Sequence, residues 1–341
     1  MAMAEPEPAC GPASSASSWT EVADHVADLV RDGALALPQP GSGRTRERWA
    51  ALTALAEQSL PTARLAEGHT DALAVWDELT DHQPAPSDAS ALWGVWAAEP
   101  PGTGLTARRD TAGRWALSGR KAYCSGARSC TMALITARDG DQRRLFVAEI
   151  GPDSVRPVPE SWPATAMAGS DTLDLDFDEA PADPLGEPGA YLDRPGFQHG
   201  GIGVAACWLG GARAVARTLY DAAGAYDVGP HALAHLGAVH ANLEAADAVL
   251  DRAAAEIDGD PRDKLGQAAI RSRWTRAFVE QVCREVIDRV GRALGAAPLA
   301  HDAEHAAMVA DLTIYLRQHH AERDYAALGQ ALTDRKRGTA R

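Results

Sequence analysis

A change of period along the chain constrains the fold more than any other feature: helical spacing gives way to strand-like runs and then returns. From 19 to 79 the apolar residues recur every three to four positions, as in Val22, Val26, Leu29 and Val30, and Pro38 and Pro40 part the first helix from the next. From 92 to 177 the text is short runs rich in β-branched and aromatic residues, RWALSGRKAYCSGA, MALITA, RRLFVAEI and TLDLDFDEA. TLDLDF alternates strictly, which places Leu173, Leu175 and Phe177 on one face of a half-buried strand. ARDGDQ and GPDS are turn sequences, so the predicted sheet is antiparallel. After Pro195 the helical period persists to about Leu332 in long, Ala-rich amphipathic segments. The order predicts an α+β multidomain chain: a flexible leader (1–18), a helical N-terminal domain (19–90), a central antiparallel β-barrel-like domain (91–190), a C-terminal helical bundle (191–335) and a tail (336–341).

That order also disposes of two attractive motifs. Gly201, Gly203 and Ala206 satisfy G-x-G-x-x-A, but no strand precedes them, so the small residues are read as a close helix contact and not as a nicotinamide site. His301, Glu304 and His305 match H-x-x-E-H, a zinc-hydrolase spacing, yet HDAEH follows the turn-like GAAP and reads as a solvated polar face. His231, His235 and His240 lack a clear third ligand, so no metal is expected. The five cysteines are odd in number, scattered and without a C-x-x-C pair, which argues against a disulfide framework. With 33 Lys and Arg against 47 Asp and Glu, the net charge of −14 opposes nucleic-acid binding. The most apolar stretch, 202–215, contains Arg213 and is shorter than the roughly 20 residues a bilayer needs, so no membrane role and a cytoplasmic location are expected.

Three segments of the β region, in order and at the right separation, resemble the acyl-CoA dehydrogenase family: AAEPPGTG at 97–104, SGRKAYCSGA at 118–127 and AGSDTLDLDFDEAPAD at 168–183. The likeness covers 92–217 well and the flanking helices loosely. It implies a flavin, FAD with FMN as an alternative, held by backbone amides and small hydroxyls on rigid strand ends. By that resemblance Ala98 takes the place of a flavin-contacting hydroxyl residue, Tyr123 that of an aromatic packed on the ring, and Ser125 that of a hydroxyl bonded near N5. Glu99, Gly104, Ser170 and Thr172 complete the expected cradle, and Gly291 and Gly295 keep a trace of a dinucleotide-contacting segment. If strand periodicity continues, Tyr123 and Ser125 share a face.

Two departures bear on chemistry. Where the family places an Arg for the cofactor pyrophosphate, this chain reads AYDVG at 225–229. Where the family places its catalytic Glu, the positions fall near His319 and Tyr226. His319, His320 and Glu322 form a polar cluster on what reads as a continuous apolar helix, and a histidine can move protons near neutral pH. The likeness therefore implies α,β-dehydrogenation of an acyl thioester with His319, His320 or Glu322 as catalytic groups, acting on acyl-CoA or a related small molecule, with the electron acceptor open. The alternatives are a flavin monooxygenase of the same fold, whose members also lack the Glu, and a catalytically silent partner subunit. The shortened N-terminal domain, with only QPAPSDAS between the helix of Trp76 and the first strand, keeps the last reading open. A homodimer or homotetramer is what the resemblance implies.

Overall fold

A computed structural model describes residues 17–86, 90–151 and 153–339, with side chains through 335. Three helices come first: α1 (Trp19–Arg31), α2 (Thr45–Gln58) and α3 (Leu60–Thr80). Ser18, in the expected leader, starts α1 with a capping box, accepting from Glu21 N while the Glu21 carboxylate reaches back to Ser18 N. Ser59 caps α3 in the same sense, with Pro61 in the first turn where a missing N–H costs nothing.

The strands are β1 (Trp93–Trp96), β2 (Leu105–Arg109), β3 (Trp115–Cys124), β4 (Met132–Asp139), β5 (Gln142–Glu149), β6 (Val155–Pro157) and β7 (Leu173–Leu185). Five of them close on themselves in the order β2, β3, β7, β5, β4, with Thr106 of β2 returning to Arg138 of β4. Closure leaves no free edge within the ring. The sheet is not wholly antiparallel as expected: β1 runs parallel to β4 along Trp93↔Met132 to Trp96↔Ile135, and the β2–β4 closure is parallel too. In β7, Leu175 and Phe177 are buried as the alternation predicts, but the phase then slips, so that Ala180 and Ala182 are the next buried residues. An extra residue around Glu179, which has φ of 49°, makes the slip and keeps both halves facing the barrel core.

The remaining helices are α4 (Ala190–Asp193), α5 (Pro195–Ala225), α6 (Gly229–Gly259), α7 (Ala268–Leu294), α8 (Ala297–His301), α9 (Ala303–Tyr315) and α10 (Glu322–Thr339), the last running through part of the expected tail. α5 is the central element: it packs on α2, α3, α6, α7 and α9, and Trp208, Leu209, Val215 and Leu219 along it are fully buried. Each such side chain contributes roughly 1.5–3 kcal/mol by leaving water. Small residues let α2 approach. A Cβ on Gly210 would lie 2.3 Å from the Thr53 carbonyl oxygen. Gly201, Gly203 and Ala206 lie inside this helix, far from any strand end, as their context in the sequence required. No described helix is long and apolar enough to cross a membrane.

Candidate functional site

Two of the three β motifs meet where β3 ends and β7 begins, while the first, 97–104, packs against Arg143 and Thr136 and along Gly119. Their meeting depends on two departures from regular structure. Tyr123 adopts φ of 58°, and the β3–β7 register shifts between Lys121 and Cys124. Tyr123 and Ser125 consequently face different ways, against the simple alternation: Tyr123 is 51% exposed with its ring edge-on to Trp162 at 6.3 Å, while Ser125 is buried. In the second departure, Met167 and Asp171, both with positive φ, flank a short 3-10 turn over Ala168–Ser170. The turn is pinned from several sides. Asp311 of α9 accepts from Met167 N, and Asp171 accepts from the Arg128 backbone and guanidinium while that guanidinium lies 3.8 Å above the Trp19 ring. Gly169 has no room for a side chain, since a Cβ would sit 3.1 Å from Pro61 and from the Ser17 carbonyl.

This scaffold aligns Ser125, Thr172 and Ser170 into one hydroxyl chain. Ser125 Oγ lies 2.9 Å from Thr172 Oγ1, Thr172 Oγ1 lies 2.8 Å from Ser170 Oγ, and Ser170 donates to the Met167 carbonyl at 2.7 Å. Arg64 Nε of α3 donates to Ser125 Oγ at 3.2 Å, and the Ser125 carbonyl accepts from Trp96 Nε1 at 3.0 Å. Ser125 thus has both its side chain and its backbone held. A cavity of about 10 Å³ adjoins it, lined in part by Arg64, Gly68, Trp93 and Trp96, with room for about one water.

Behind Arg64 lies a buried charge cluster that the sequence did not single out. Arg64 pairs with Glu67, Glu67 bonds Asp71, and Asp71 accepts from Arg48 at 2.9 Å. Burial pushes the Glu67 carboxyl up to about 7, with Arg64 opposing and Asp71 adding to the shift. His69, on the same helix, accepts from Trp93 N at 3.2 Å, and burial pushes its pKa down to about 4, so the ring is neutral. Tyr315 at the end of α9 and Cys207 of α5 also face this cluster, and burial pushes both of their pKa values up.

The expected catalytic trio is dispersed. The helix assumed to carry it breaks: α9 ends at Tyr315, a 3-10 turn covers Leu316–Gln318, and α10 begins only at Glu322 after Ala321 with φ of 45°. The break turns His319 inward and leaves His320 and Glu322 in solvent. His319 is 4% exposed, packs edge-on against Tyr325 at 5.6 Å, and neither ring nitrogen has a hydrogen-bond partner. Burial lowers its pKa against the pull of Asp324, whose carboxylate is 3.8 Å from Nε2. Arg276 of α7 fixes the turn to α5 by donating to the Gln318 and Gly201 carbonyls while lying 4.7 Å over the Trp208 ring.

The other expected residues divide. Ala98 is half-buried after β1, and Glu99 is engaged by Arg143 at 2.7 Å. The Gly104 carbonyl accepts from Arg120 N at 3.2 Å, an approach that leaves no space for a Cβ on Gly119. Gly291 and Gly295 lie exposed at the far end of α7, whose packing partners are α5, α6 and α10. His301 and Glu304 lie on different helices, and His305 Nδ1 is 2.8 Å from Thr218 Oγ1. Among the described residues no three His, Cys, Asp or Glu side chains group as metal ligands.

The sequence matches no family model and no curated protein. Solved structures do match. KijD3, solved with FMN and dTDP-3-amino-2,3,6-trideoxy-4-keto-3-methyl-D-glucose, aligns over 91% of this chain and 86% of its own at 20% identity, with a TM-score of 0.78. The fold is that of the acyl-CoA dehydrogenases. The nitrososynthase of Micromonospora carbonacea var. africana shares it at 19% identity and a TM-score of 0.73, covering 93% of each chain. Dibenzothiophene monooxygenase (TdsC) of Paenibacillus sp. A11-2 shares it at 18% identity and a TM-score of 0.70, covering 93% of this chain and 96% of its own. Within the acyl-CoA dehydrogenase fold, the Ser125–Thr172–Ser170 chain occupies the junction of the barrel with α3 and α9.

Proposed function

We propose that this chain is a flavin-dependent oxygenase that uses FMN and acts on a small molecule. The observation that carries the reading is the hydroxyl chain ending at Ser125, fixed from both sides and met by the Arg64 guanidinium. A flavin ring edge presents donors and acceptors that need rigid partners of this kind. The residues present fit the ring at its polar edge, which Ser125 and Arg64 suit, and half-buried Ala98 leaves backbone available; Tyr123, turned away from Ser125, is no part of that edge. The enclosed space beside Ser125 takes only about one water, so the ring would be held against the cradle's outer surface.

FMN is favoured over FAD by what the helices lack. AYDVG at 225–229 supplies no Arg for a pyrophosphate, and Gly291 and Gly295 lie exposed at the end of α7. KijD3 and TdsC have been crystallised with FMN. An oxygenase is favoured over acyl dehydrogenation because the expected carboxylate is absent from the family's positions: His319 stands near one, and Tyr226, 60% exposed, stands near the other. Glu67 does not fill the role, since it is buried behind Arg64.

When bound, reduced flavin would supply the two electrons that let one atom of dioxygen enter a substrate and the other leave as water. The chain's own residues orient the ring and handle a proton. Ser125 and Arg64 would fix the ring edge, and buried His319, with both nitrogens unpaired, would take up a proton only transiently, because burial lowers its pKa. The test is oxygen uptake driven by chemically reduced FMN, set against anaerobic bleaching of bound flavin by acyl-CoAs. Uptake without bleaching is expected, and His319→Ala should lower coupled oxygen use while FMN still binds. Bleaching by an acyl-CoA would restore the dehydrogenase reading; a colourless protein that takes up neither flavin would overturn both.

A further inference from the structure

The hydroxyl chain has a direction, and the direction follows from counting protons. A serine or threonine hydroxyl has one proton to give and two lone pairs to accept with. Ser170 Oγ faces the Met167 carbonyl at 2.7 Å, and a carbonyl can only accept, so the Ser170 proton is committed there. The 2.8 Å contact between Ser170 and Thr172 must then use the Thr172 proton. With that proton spent, the 2.9 Å contact between Thr172 and Ser125 must use the Ser125 proton. On its other side Ser125 accepts from Arg64 Nε, which has no lone pair to offer in return. Ser125 is left with one lone pair and no proton for a ligand.

This polarity matters for a flavin, because N5 changes its hydrogen-bonding sense with oxidation state. Oxidised N5 is a bare acceptor; reduced N5 carries a hydrogen and donates. We propose that Thr172 and Ser170 are positioning residues that lock Ser125 as an acceptor, so that the site accepts the N5–H of reduced flavin and opposes the lone pair of oxidised flavin. The inference rests on the flavin reading above and on Ser125 being the group beside N5. It assigns a role to the two side chains that stand behind Ser125 in the chain. Met167, which ends the chain, is itself fixed by Asp311 and by a left-handed backbone, so the carbonyl that sets the direction cannot turn away.

The discrimination is measured by titrating the full-length protein anaerobically with FMN and with dithionite-reduced FMN, and by the reduction potential of the bound flavin. One hydrogen bond made in one state and opposed in the other is worth on the order of tenfold or more in affinity, which for a two-electron couple raises the potential by about 30 mV relative to free FMN. Thr172→Val removes the acceptor of the Ser125 proton, and Ser170→Ala lets the Thr172 proton turn toward Ser125. Either change frees a proton for N5, so both variants should bind oxidised FMN more tightly and lose most of the preference, with Arg64 untouched. Thr172→Val keeps the shape of the side chain, and Ser170→Ala tests the same polarity independently if one variant folds poorly. Equal affinities of the two states in the unaltered protein, or an unchanged ratio in both variants, would overturn the proposal while leaving the flavin site standing. Failure to bind either form of FMN would remove the flavin reading and the proposal together.

Discussion

Replacing Glu67 with Gln should change how stability depends on pH. Glu67 is 4% exposed, and its carboxyl titrates at about 7, against an ordinary value of 4.5. Burial is the main cause, Arg64 opposes it, and Asp71 reinforces it. The groups facing Glu67 come from several elements: Arg64 and Asp71 on α3, Tyr315 on α9, Cys207 on α5, Arg276 on α7 and Tyr191 on α4. Because the folded pKa is raised, the folded protein holds a proton that the unfolded chain has already released. Stability therefore falls as pH rises from 4.5 toward 7, by about 1.4 kcal/mol per unit within that window, or about 3 kcal/mol in all. Glu67→Gln removes this dependence. The variant loses its attraction to Arg64, a cost that sets a constant offset, but its stability relative to the unaltered protein should climb by about 3 kcal/mol between pH 4.5 and 8. Urea unfolding at several pH values reads the difference directly, through midpoints at constant slope. Parallel stability curves for the two proteins would refute the argument, because they would mean that Glu67 titrates alike in the folded and unfolded chains.

Two further outcomes follow from packing. Gly210→Ala should destabilise the protein by about 1–3 kcal/mol or more, since its Cβ would press on the Thr53 backbone 2.3 Å away and force α2 off α5; a loss of thermal stability with retained helix content is the readout. Arg128→Met should cost about 3 kcal/mol, because it strands the 1%-exposed Asp171 side chain without its cation and removes the stack on Trp19; denaturant midpoints and a changed Trp fluorescence spectrum would register it.

The architecture was legible because it depends on period, and period survives local irregularity. Helix, sheet and helix follow from spacing alone, closure of the sheet was implied by the family resemblance, and the burial of Leu175 and Phe177 follows from alternation. The parallel pairing of β1 with β4 was not legible: β1 has four residues, and nothing in WGVW distinguishes a parallel neighbour from an antiparallel one. The same limit applies at Tyr123 and Ala321. Each takes a positive φ that its residue type does not announce, and each redirects a side chain that matters, putting Ser125 on the opposite side from Tyr123 and turning His319 into the interior.

The site itself was half legible, and the missing half has one physical origin. Ser125, Ser170 and Thr172 could be named because their motifs sit on strand ends, where local sequence and position in space coincide. Arg64 and Glu67 could not. Three residues apart on a helix with opposite charges, they look like an ordinary solvent-facing pair, which contributes only about 0.2–0.5 kcal/mol. They are buried because α3 is covered on both sides, by β1 and by α5, so that Leu60, Ala63, Ala66 and Gly68 leave little of the helix for water. A helix with small or apolar residues around most of its circumference is a buried helix, and TARLAEGHT at 62–70 carries that signal once the charges are read as guests in it. The charged side chain bonded directly to the hydroxyl chain, Arg64, comes from an N-terminal helix, whereas the polar cluster evident in the sequence, His319, His320 and Glu322, lies among the C-terminal ones. Arg64 is the link: it bonds Ser125 with one nitrogen and Glu67 with another, so protonation of a carboxyl that titrates near neutrality is one residue removed from the hydroxyl that would meet the flavin. Any pH dependence of flavin binding centred near 7 should therefore vanish in Glu67→Gln and persist in His319→Ala, and the reverse pattern would move the controlling proton to the C-terminal helices.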